Sequence, residues 1–118
     1  DAMKTAMTVE ENLLFWAAAL GGDGIDAALA AFRLDTLRKD PVQLLSAGQR
    51  RRLTLARLLL AERPLWLLDE PMTALDATSQ DVLRQHVRNH LKAGGLVLTA
   101  THDDLGVTPD QTLMLGAA

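Results

Sequence analysis

Residues 64–76 read PLWLLDEPMTALD, and this stretch decides the fold. Pro64 ends the preceding helical pattern. Residues 65–68 form a continuous apolar run of the length typical of a strand buried on both faces. Two acids, Asp69 and Glu70, follow where such a strand would end. Because ligands of open parallel sheets bind beyond the carboxyl ends of strands, these acids are candidates for binding or catalysis.

The residues that follow complete a strand–helix–strand unit. A helical pattern covers residues 77–93, two glycines end it, and a second apolar run lies at 96–99. A third short strand is predicted at 112–115. Strand, long helix and strand in this order predict a βαβ unit with parallel strands, so the back half is assigned to the α/β class.

The front half reads as helical. Thr8 and Glu11 fit a capping box ahead of the first helix, and Ser46 and Gln49 fit a second one. The predicted helices run from about residue 9 to 20, 25 to 32 and 47 to 61, with a linker at 35–45. The sequence therefore predicts a helical part at 1–62 and an α/β part at 63–118.

The second capping box carries chemistry of its own. Residues 45–49 read LSAGQ, so a glycine lies in the first turn of the predicted helix. Free backbone N–H groups and the positive end of the helix dipole make such a start an anion site. Gly48 would let a phosphate approach the backbone, and the Ser46 hydroxyl could donate to it. Taken alone, the motif also fits an ordinary N-cap.

The two acids after the first strand suggest magnesium chemistry. Asp69 can hold Mg²⁺ through water, since this ion prefers carboxylate oxygens and keeps its waters. Glu70 would point to the other side and can orient or deprotonate an attacking water. Taken alone, a strand followed by two solvated acids is a common surface feature.

Together, four segments resemble the motifs of ABC-type ATPases. LSAGQ resembles the ABC signature, residues 65–70 resemble Walker B, residues 70–76 resemble the D-loop, and residues 101–103 (THD) resemble the H-loop. Their order and spacing are jointly specific, and the resemblance covers the whole chain. It implies a partial P-loop NTPase core with parallel strands plus the helical signature subdomain.

The resemblance also implies a role for each matched residue, with ATP and Mg²⁺ as cofactors. It places three residues against the γ-phosphate of ATP held by an opposite subunit, one residue that couples the two sites, one residue that holds magnesium through water, and two catalytic residues. These are, in that order, Ser46, Gly48 and Gln49; Asp76; Asp69; and Glu70 and His102. The sequence departs from the commonest signature at Ala47, where glycine is usual.

The phosphate-binding loop is not found in this sequence. Walker A requires G-x-x-x-x-G-K-[ST], and none of the three lysines, Lys4, Lys39 and Lys92, follows a glycine. The chain also opens on Asp1. We therefore expect a piece of a longer protein, and we expect this piece alone not to hydrolyse ATP.

Three functions remain open at this stage: the ATPase subunit of a membrane transporter, a soluble ABC ATPase acting on ribosomes or DNA, and a non-catalytic interaction fragment. Residues 72–76 (MTALD) differ from the TNHLD typical of ribosome-acting members, which favours a transporter. Residues 4–13, 45–52 and 64–71 and the dipeptide at 75–76 resemble the ATP-binding subunits of bacterial haem exporters of cytochrome c maturation. This resemblance implies a dimer on the cytoplasmic face of the inner membrane, bound to membrane-spanning subunits.

Composition adds few constraints. The net charge is −3, which gives no reason to expect nucleic acid, and the arginines at 50–52 are expected to be solvated. There is no cysteine, so no disulfide is possible. His86 and His90 could share a metal, but an exposed helix face is the simpler interpretation. Phe15 and Trp16 are expected to anchor the core.

Overall fold

The computed structural model describes residues 7–101 and 104–107. Within them the chain forms four helices and two strands, joined by three short 3₁₀ turns. The helices are α1 (Val9–Leu20), α2 (Ile25–Ala31), α3 (Ala47–Ala56) and α4 (Ala77–Lys92), and the strands are β1 (Leu65–Asp69) and β2 (Leu96–Ala100). His102 and the strand predicted at 112–115 lie outside the described residues.

Helix α1 begins and ends where the sequence predicts. The Thr8 hydroxyl accepts from the Glu11 amide at 3.1 Å, and the Glu11 carboxylate accepts from the Thr8 amide at 2.9 Å. At the other end Gly21 takes a left-handed conformation with φ 71°, which glycine adopts without a Cβ clash. The capping box and the terminal glycine therefore fix both ends of α1.

Helix α3 begins on the second predicted capping box but is shorter than expected. Ser46 and Gln49 exchange hydrogen bonds of 3.1 and 2.9 Å, and regular α-helix stops at Ala56 instead of near residue 61. A 3₁₀ turn, Arg57–Leu59, continues the segment. After this tighter turn Leu60 is buried, while Leu58 and Leu59 pack partly buried against the core.

The two strands pair in parallel, as the βαβ pattern predicts. Their register places Leu65 opposite Leu96 and Asp69 opposite Ala100. The Leu96 amide donates to the Pro64 carbonyl, and the Glu70 amide donates to the Ala100 carbonyl, both at 2.7 Å, so the ladder extends past both ends. Helix α4 forms the crossover between the strands.

The prediction that β1 is buried on both faces is wrong for the described part of the chain. Trp66 and Leu68 are 7% exposed, and they face α4, where the Trp66 ring stacks on His90 at 4.0 Å. The alternate residues are exposed on the opposite face: Leu65 by 46%, Leu67 by 66%, Leu96 by 64% and Leu98 by 65%. Among residues 7–101 and 104–107, helices cover one face of the sheet only.

The two histidines of α4 are also not on an exposed face. His90 lies against Trp66, and its Nε2 is 3.1 Å from the Pro64 carbonyl oxygen. His86 stacks on Phe32 with ring centroids 5.6 Å apart, and burial lowers the pKa of His86. Each ring packs against a different partner, and the described residues contain no cluster of His, Cys, Asp and Glu suited to a metal.

The first helix contributes one aromatic anchor instead of two. Trp16 packs partly buried against the core, with the Arg57 guanidinium 4.6 Å from its ring centroid. Phe15 is 37% exposed and lies edge-on to Trp16, so the prediction that it anchors the core is wrong. The two residues are adjacent on α1 and therefore point about 100° apart, and here the direction of Phe15 lies toward solvent.

A single hydrophobic core joins the helical and α/β parts. Its buried members come from all four helices and from β1, and the largest of those that are fully buried are Phe32, Leu13, Leu29, Leu34, Leu53, Leu60 and Leu83. The boundary at 62/63 stays a prediction. Within the part of the chain that the structure describes, no helix is long and apolar enough to cross a bilayer.

Candidate functional site

The signature residues and the loop before α4 face each other across an open cleft. Its volume is about 340 Å³, and it lies between the first turn of α3 and the first turn of α4. The residues that line it are Ser46, Gly48, Gln49, Arg52, Ala74, Leu75, Asp76 and Ser79. The fold thus brings together four residues that the sequence selects for nucleotide binding: Ser46, Gly48, Gln49 and Asp76.

The α3 side of the cleft presents hydrogen-bond donors. The Ser46 oxygen accepts from the Gln49 amide, so its own O–H can still donate into the cleft. The Gln49 side chain uses its oxygen on the Ser46 amide, which leaves its NH₂ group as the outward donor. Amides 47 and 48 are in the first turn and have no acceptor within the helix. This wall suits an anion.

Gly48 has a structural role as well as the predicted one. A Cβ at this position would lie 2.8 Å from the Ala74 carbonyl oxygen, closer than real Cβ atoms approach. The obstacle is backbone of the 74–76 loop and cannot rotate away. Gly48 therefore allows α3 and this loop to touch, in addition to leaving the amides open to a ligand.

Asp76 is held by its own chain. It caps α4, accepting from the Ser79 amide at 2.9 Å, and both of its carboxylate oxygens accept from Arg33, at 3.0 and 3.1 Å. Hydrogen bonds from the Ser79 hydroxyl and amide, followed by the bond from Arg33, lower the pKa of Asp76 to about 2. The carboxylate is therefore charged throughout the neutral range, and its side chain is 65% exposed.

Sequence reasoning did not find the two arginines beside the cleft. Arg33 was overlooked because it stands in a segment without a recognisable motif. Arg52 was expected to be solvated, but its Nη1 donates to the carbonyls of Phe32 and Arg33 at 3.3 and 3.1 Å. Burial, and then the charge of Arg33, lower the pKa of Arg52. The arginines at 50–52 look equivalent in the sequence, but they have different acceptors in the structure: Arg50 donates to the Gln43 carbonyl and not to the turn that Arg52 contacts.

The acidic pair lies apart from this cleft. Asp69 is the last residue of β1, and Glu70 follows it with φ 45°, a left-handed conformation that is uncommon for glutamate. Neither lines the cleft. The chain thus carries two separate candidate surfaces, the donor-rich cleft and the strand-end acids, and His102 lies outside the described residues.

The residues present account for part of the binding that ATP and Mg²⁺ would need. The cleft offers hydroxyl, amide and backbone donors of the kind that bind phosphate oxygens. Asp69, exposed at a strand end, is an oxygen ligand suited to Mg²⁺ through water. No group of three or more His, Cys, Asp or Glu side chains gathers at any point of residues 7–101 and 104–107, so further metal ligands would have to be waters, nucleotide or other residues.

Comparison with known proteins gives a consistent picture. The family model described as ABC transporter matches residues 1–73. The chain is 52% identical over 120 aligned positions to the cytochrome c biogenesis ATP-binding export protein CcmA of Bradyrhizobium diazoefficiens, covering 100% of this chain and 60% of that protein. It is 51% identical to the protein of the same name from Paracoccus denitrificans, covering 98% of this chain and 55% of that protein.

Solved structures agree on the fold. A structure described as the ATP-binding subunit of an ABC transporter superposes with a TM-score of 0.74 at 25% identity, covering 83% of this chain and 44% of that one. The chain therefore spans between 44% and 60% of the length of these relatives. The residues that the family model matches, 1–73, include α3 and the strand-end acids Asp69 and Glu70.

Proposed function

Since this chain belongs to the ABC transporter family, we propose that it is part of the ATP-hydrolysing subunit of a bacterial haem exporter for cytochrome c maturation. The finer assignment is supported by relatives whose printed name is cytochrome c biogenesis ATP-binding export protein, at about half identity over the chain's full length. The partners we propose are a second ATPase subunit and membrane-spanning subunits, at the cytoplasmic face of the inner membrane.

The observation that carries the proposal is the cleft between α3 and the 74–76 loop. Its donors converge from a capped helix start, and the strand-end acids Asp69 and Glu70 do not line it. A donor set of this kind can serve a phosphate presented by another subunit. We propose that Ser46, Gly48 and Gln49 bind the γ-phosphate of ATP held by the partner, and that Asp76 couples the two sites.

The strand-end acids are proposed to serve the chain's own nucleotide site. Asp69 would hold Mg²⁺ through water, and the ion when bound would neutralise charge on the phosphates. Glu70 would accept a proton from, or orient, the attacking water, and His102 would brace that water and the phosphate. Because positioning and charge stabilisation dominate phosphoryl transfer, small displacements of these groups should cost rate before they cost affinity.

The first test separates this chain from the complete subunit. The 118-residue chain should show no magnesium-dependent ATP hydrolysis. A complete subunit, in which a Walker A loop is joined to this sequence, should hydrolyse ATP, and Glu70→Gln should retain ATP binding while losing at least about a hundredfold in kcat, the range expected for a general base. Turnover by the 118-residue chain, or near-normal kcat in the variant, would refute the assigned roles.

A second variant tests on which subunit Ser46 acts. Ser46→Arg places a bulky cation where the partner's γ-phosphate is proposed to dock. ATP binding to each monomer should persist, while ATP-driven dimerisation and hydrolysis should be lost. Thr8→Ala is the matched control, since it removes an equivalent helix cap far from the cleft. Loss of monomer binding in the Ser46 variant would show that this residue serves its own subunit's nucleotide.

A further inference from the structure

The turn after α2 holds an arginine in a conformation that arginine rarely adopts. Arg33 has φ 55°, in the left-handed region, where its Cβ crowds the following carbonyl. The carbonyls of Phe32 and Arg33 itself accept hydrogen bonds from Arg52 on α3. Helix α3 therefore holds this turn through Arg52. These hydrogen bonds offset the backbone strain at Arg33, which a glycine at this position would not have.

The Arg33 side chain reaches the other wall of the cleft. Its Nη2 lies 3.0 and 3.1 Å from the two carboxylate oxygens of Asp76 and 2.7 Å from the Ser79 hydroxyl. Ser79 is 2% exposed, so water has little access to compete for that hydroxyl. The Arg33 guanidinium thus contacts both Asp76, the N-cap of α4, and Ser79 in its first turn. Asp76 and Ser79 line the cleft opposite α3.

We propose that Arg33 is a positioning residue for Asp76, tying the loop at 74–76 to α3 through the Arg52-braced turn. The inference rests on the proposed function in one respect, namely that Asp76 acts at the interface between ATPase subunits. Arg33 itself does not line the cleft beside Ser46, Gly48 and Gln49. It sets the direction in which the Asp76 carboxylate faces, and it transmits movements of the helical part to the loop.

The contact is better suited to positioning than to stabilisation. Arg33 and Asp76 have side-chain exposures of 43% and 65%, and exposed ion pairs contribute little to folding. However, one guanidinium nitrogen, Nη2, lies within hydrogen-bond distance of both oxygens of the Asp76 carboxylate and of the Ser79 hydroxyl, and these contacts restrict the direction in which the carboxylate faces. Removing Arg33 should therefore alter the Asp76 carboxylate more than it alters the stability of the chain.

The test is the titration of the Asp76 carboxyl carbon, followed by nuclear magnetic resonance in the 118-residue chain carrying Leu67→Lys and Leu98→Lys, two changes on the exposed sheet face that are expected to keep it monomeric. Arg33→Gly removes the guanidinium and also relieves the backbone strain. Arg33→Ala removes the same group and keeps the strain. Both variants should raise the pKa of Asp76 by the same part of its shift, because the bonds from Ser79 remain, while the glycine variant should melt at a higher temperature than the alanine variant. Arg33→Lys, which keeps a charge but replaces the planar guanidinium with an ammonium on a shorter side chain, should give an intermediate pKa.

An Asp76 pKa that is the same in the wild type and in Arg33→Gly would overturn the proposal, as would equal pKa values for the lysine and glycine variants. If the alanine variant does not fold, the glycine and lysine variants still decide the question.

The effect of Arg33 on ATP hydrolysis is measured in the complete ATPase subunit. Arg33→Gly should lower kcat severalfold with the KM for ATP unchanged, and Arg33→Lys should recover part of the loss. An unchanged kcat would overturn the positioning role. If the complete wild-type subunit hydrolyses no ATP, the proposed function fails, but the Asp76 titration still decides whether Arg33 orients that carboxylate.

Discussion

Gly48 is the residue at which local helix preference and packing oppose each other most directly. Alanine favours a helix over glycine by about 1 kcal/mol. Here, however, a Cβ would meet the Ala74 carbonyl oxygen at 2.8 Å, and that oxygen belongs to a loop whose own residue Ala74 already has φ 65°. A loop that is strained in this way has little freedom to retreat, so the packing term should decide the outcome.

We therefore expect Gly48→Ala to lower the free energy of unfolding by about 1–2 kcal/mol. The clash is with backbone, so its cost should lie in the upper part of the overpacking range, about 2–3 kcal/mol, and the gain in helix preference offsets about 1 kcal/mol of it. Chemical denaturation measures it. The matched control is Ala47→Gly, an exposed neighbour in the same turn, which should cost no more than about 1 kcal/mol. A Gly48→Ala chain more stable than the wild type would show that the loop yields freely.

Asp76 should give the chain an acid-sensitive component of stability. Its pKa falls from an ordinary value of 3.8 to about 2 in the folded chain, through Ser79 first and Arg33 second. A lowered folded-state pKa stabilises the fold above the unfolded pKa, and this contribution is lost as the pH falls from about 4 to about 2. Asn at this position can still cap α4 but carries no charge.

Thermal melts of the wild type and of Asp76→Asn should therefore differ at pH 7 and converge as the pH approaches 2. The wild type should be the more stable at pH 7. Glu10→Gln offers a comparison, because Glu10 is another acid whose pKa is lowered by neighbouring cations, Lys39 first, but at a site remote from the cleft. A difference between wild type and Asp76→Asn that stayed constant across this pH range would contradict the assigned cause.

At the scale of elements, the sheet offers a clean comparison within one strand. Leu67 and Leu68 are adjacent in β1 and have the same side chain, but Leu67 is 66% exposed and Leu68 is 7% exposed. Leu68→Ala should cost about 2–5 kcal/mol, the range for a buried leucine. At protein concentrations low enough to keep the chain monomeric, Leu67→Ala should stay within about 0.5 kcal/mol, as surface substitutions do.

Denaturant titration of the two variants decides this, with both made in the same 118-residue chain. Equal and large losses would mean that something buries the Leu67 face in solution. In that case the two-sided burial predicted from the sequence would describe the chain better than the one-sided sheet of the described residues.

Element positions were predictable where a side chain binds the backbone locally. Thr8 with Glu11 and Ser46 with Gln49 set the starts of α1 and α3, because each pair satisfies amides that the helix leaves open. The faces of β1 were not predictable, because a continuous apolar run shows that a strand is apolar but not how many layers pack on it. Burial on a second face depends on residues distant in sequence.

In the candidate site, too, some residues could be predicted from the sequence and others could not. Ser46, Gly48, Gln49 and Asp76 could be selected by motif, and the fold places them around one cleft. Arg33 could not, because nothing in its neighbourhood indicates that it meets Asp76, 43 positions later. An arginine at a left-handed position has no distinctive sequence signal, although a glycine there would have. Contacts of this kind become visible only when the two parts of the chain are seen packed together.

At the scale of the whole molecule, the exposed face of the sheet governs behaviour in solution. Leu65 pairs with Leu96, and Leu67 pairs with Leu98, so the register gathers four exposed leucines on one surface. In the described residues β2 pairs with β1 alone, which leaves its second edge open. Apolar patches and open strand edges of this kind favour association.

We therefore expect the 118-residue chain to self-associate at micromolar concentration through this leucine face. Sedimentation velocity over a dilution series should show a concentration-dependent shift to larger species. Leu67→Lys with Leu98→Lys should shift it toward monomer without loss of fold, because both positions are solvent-facing. The matched control, Leu14→Lys with Leu44→Lys, changes two leucines that are 50% and 74% exposed but lie outside the sheet, and it should leave association unchanged. A wild-type chain that sediments as a monomer with a cooperative melt would show that this face is covered, and the Leu67→Ala measurement would then report a buried side chain.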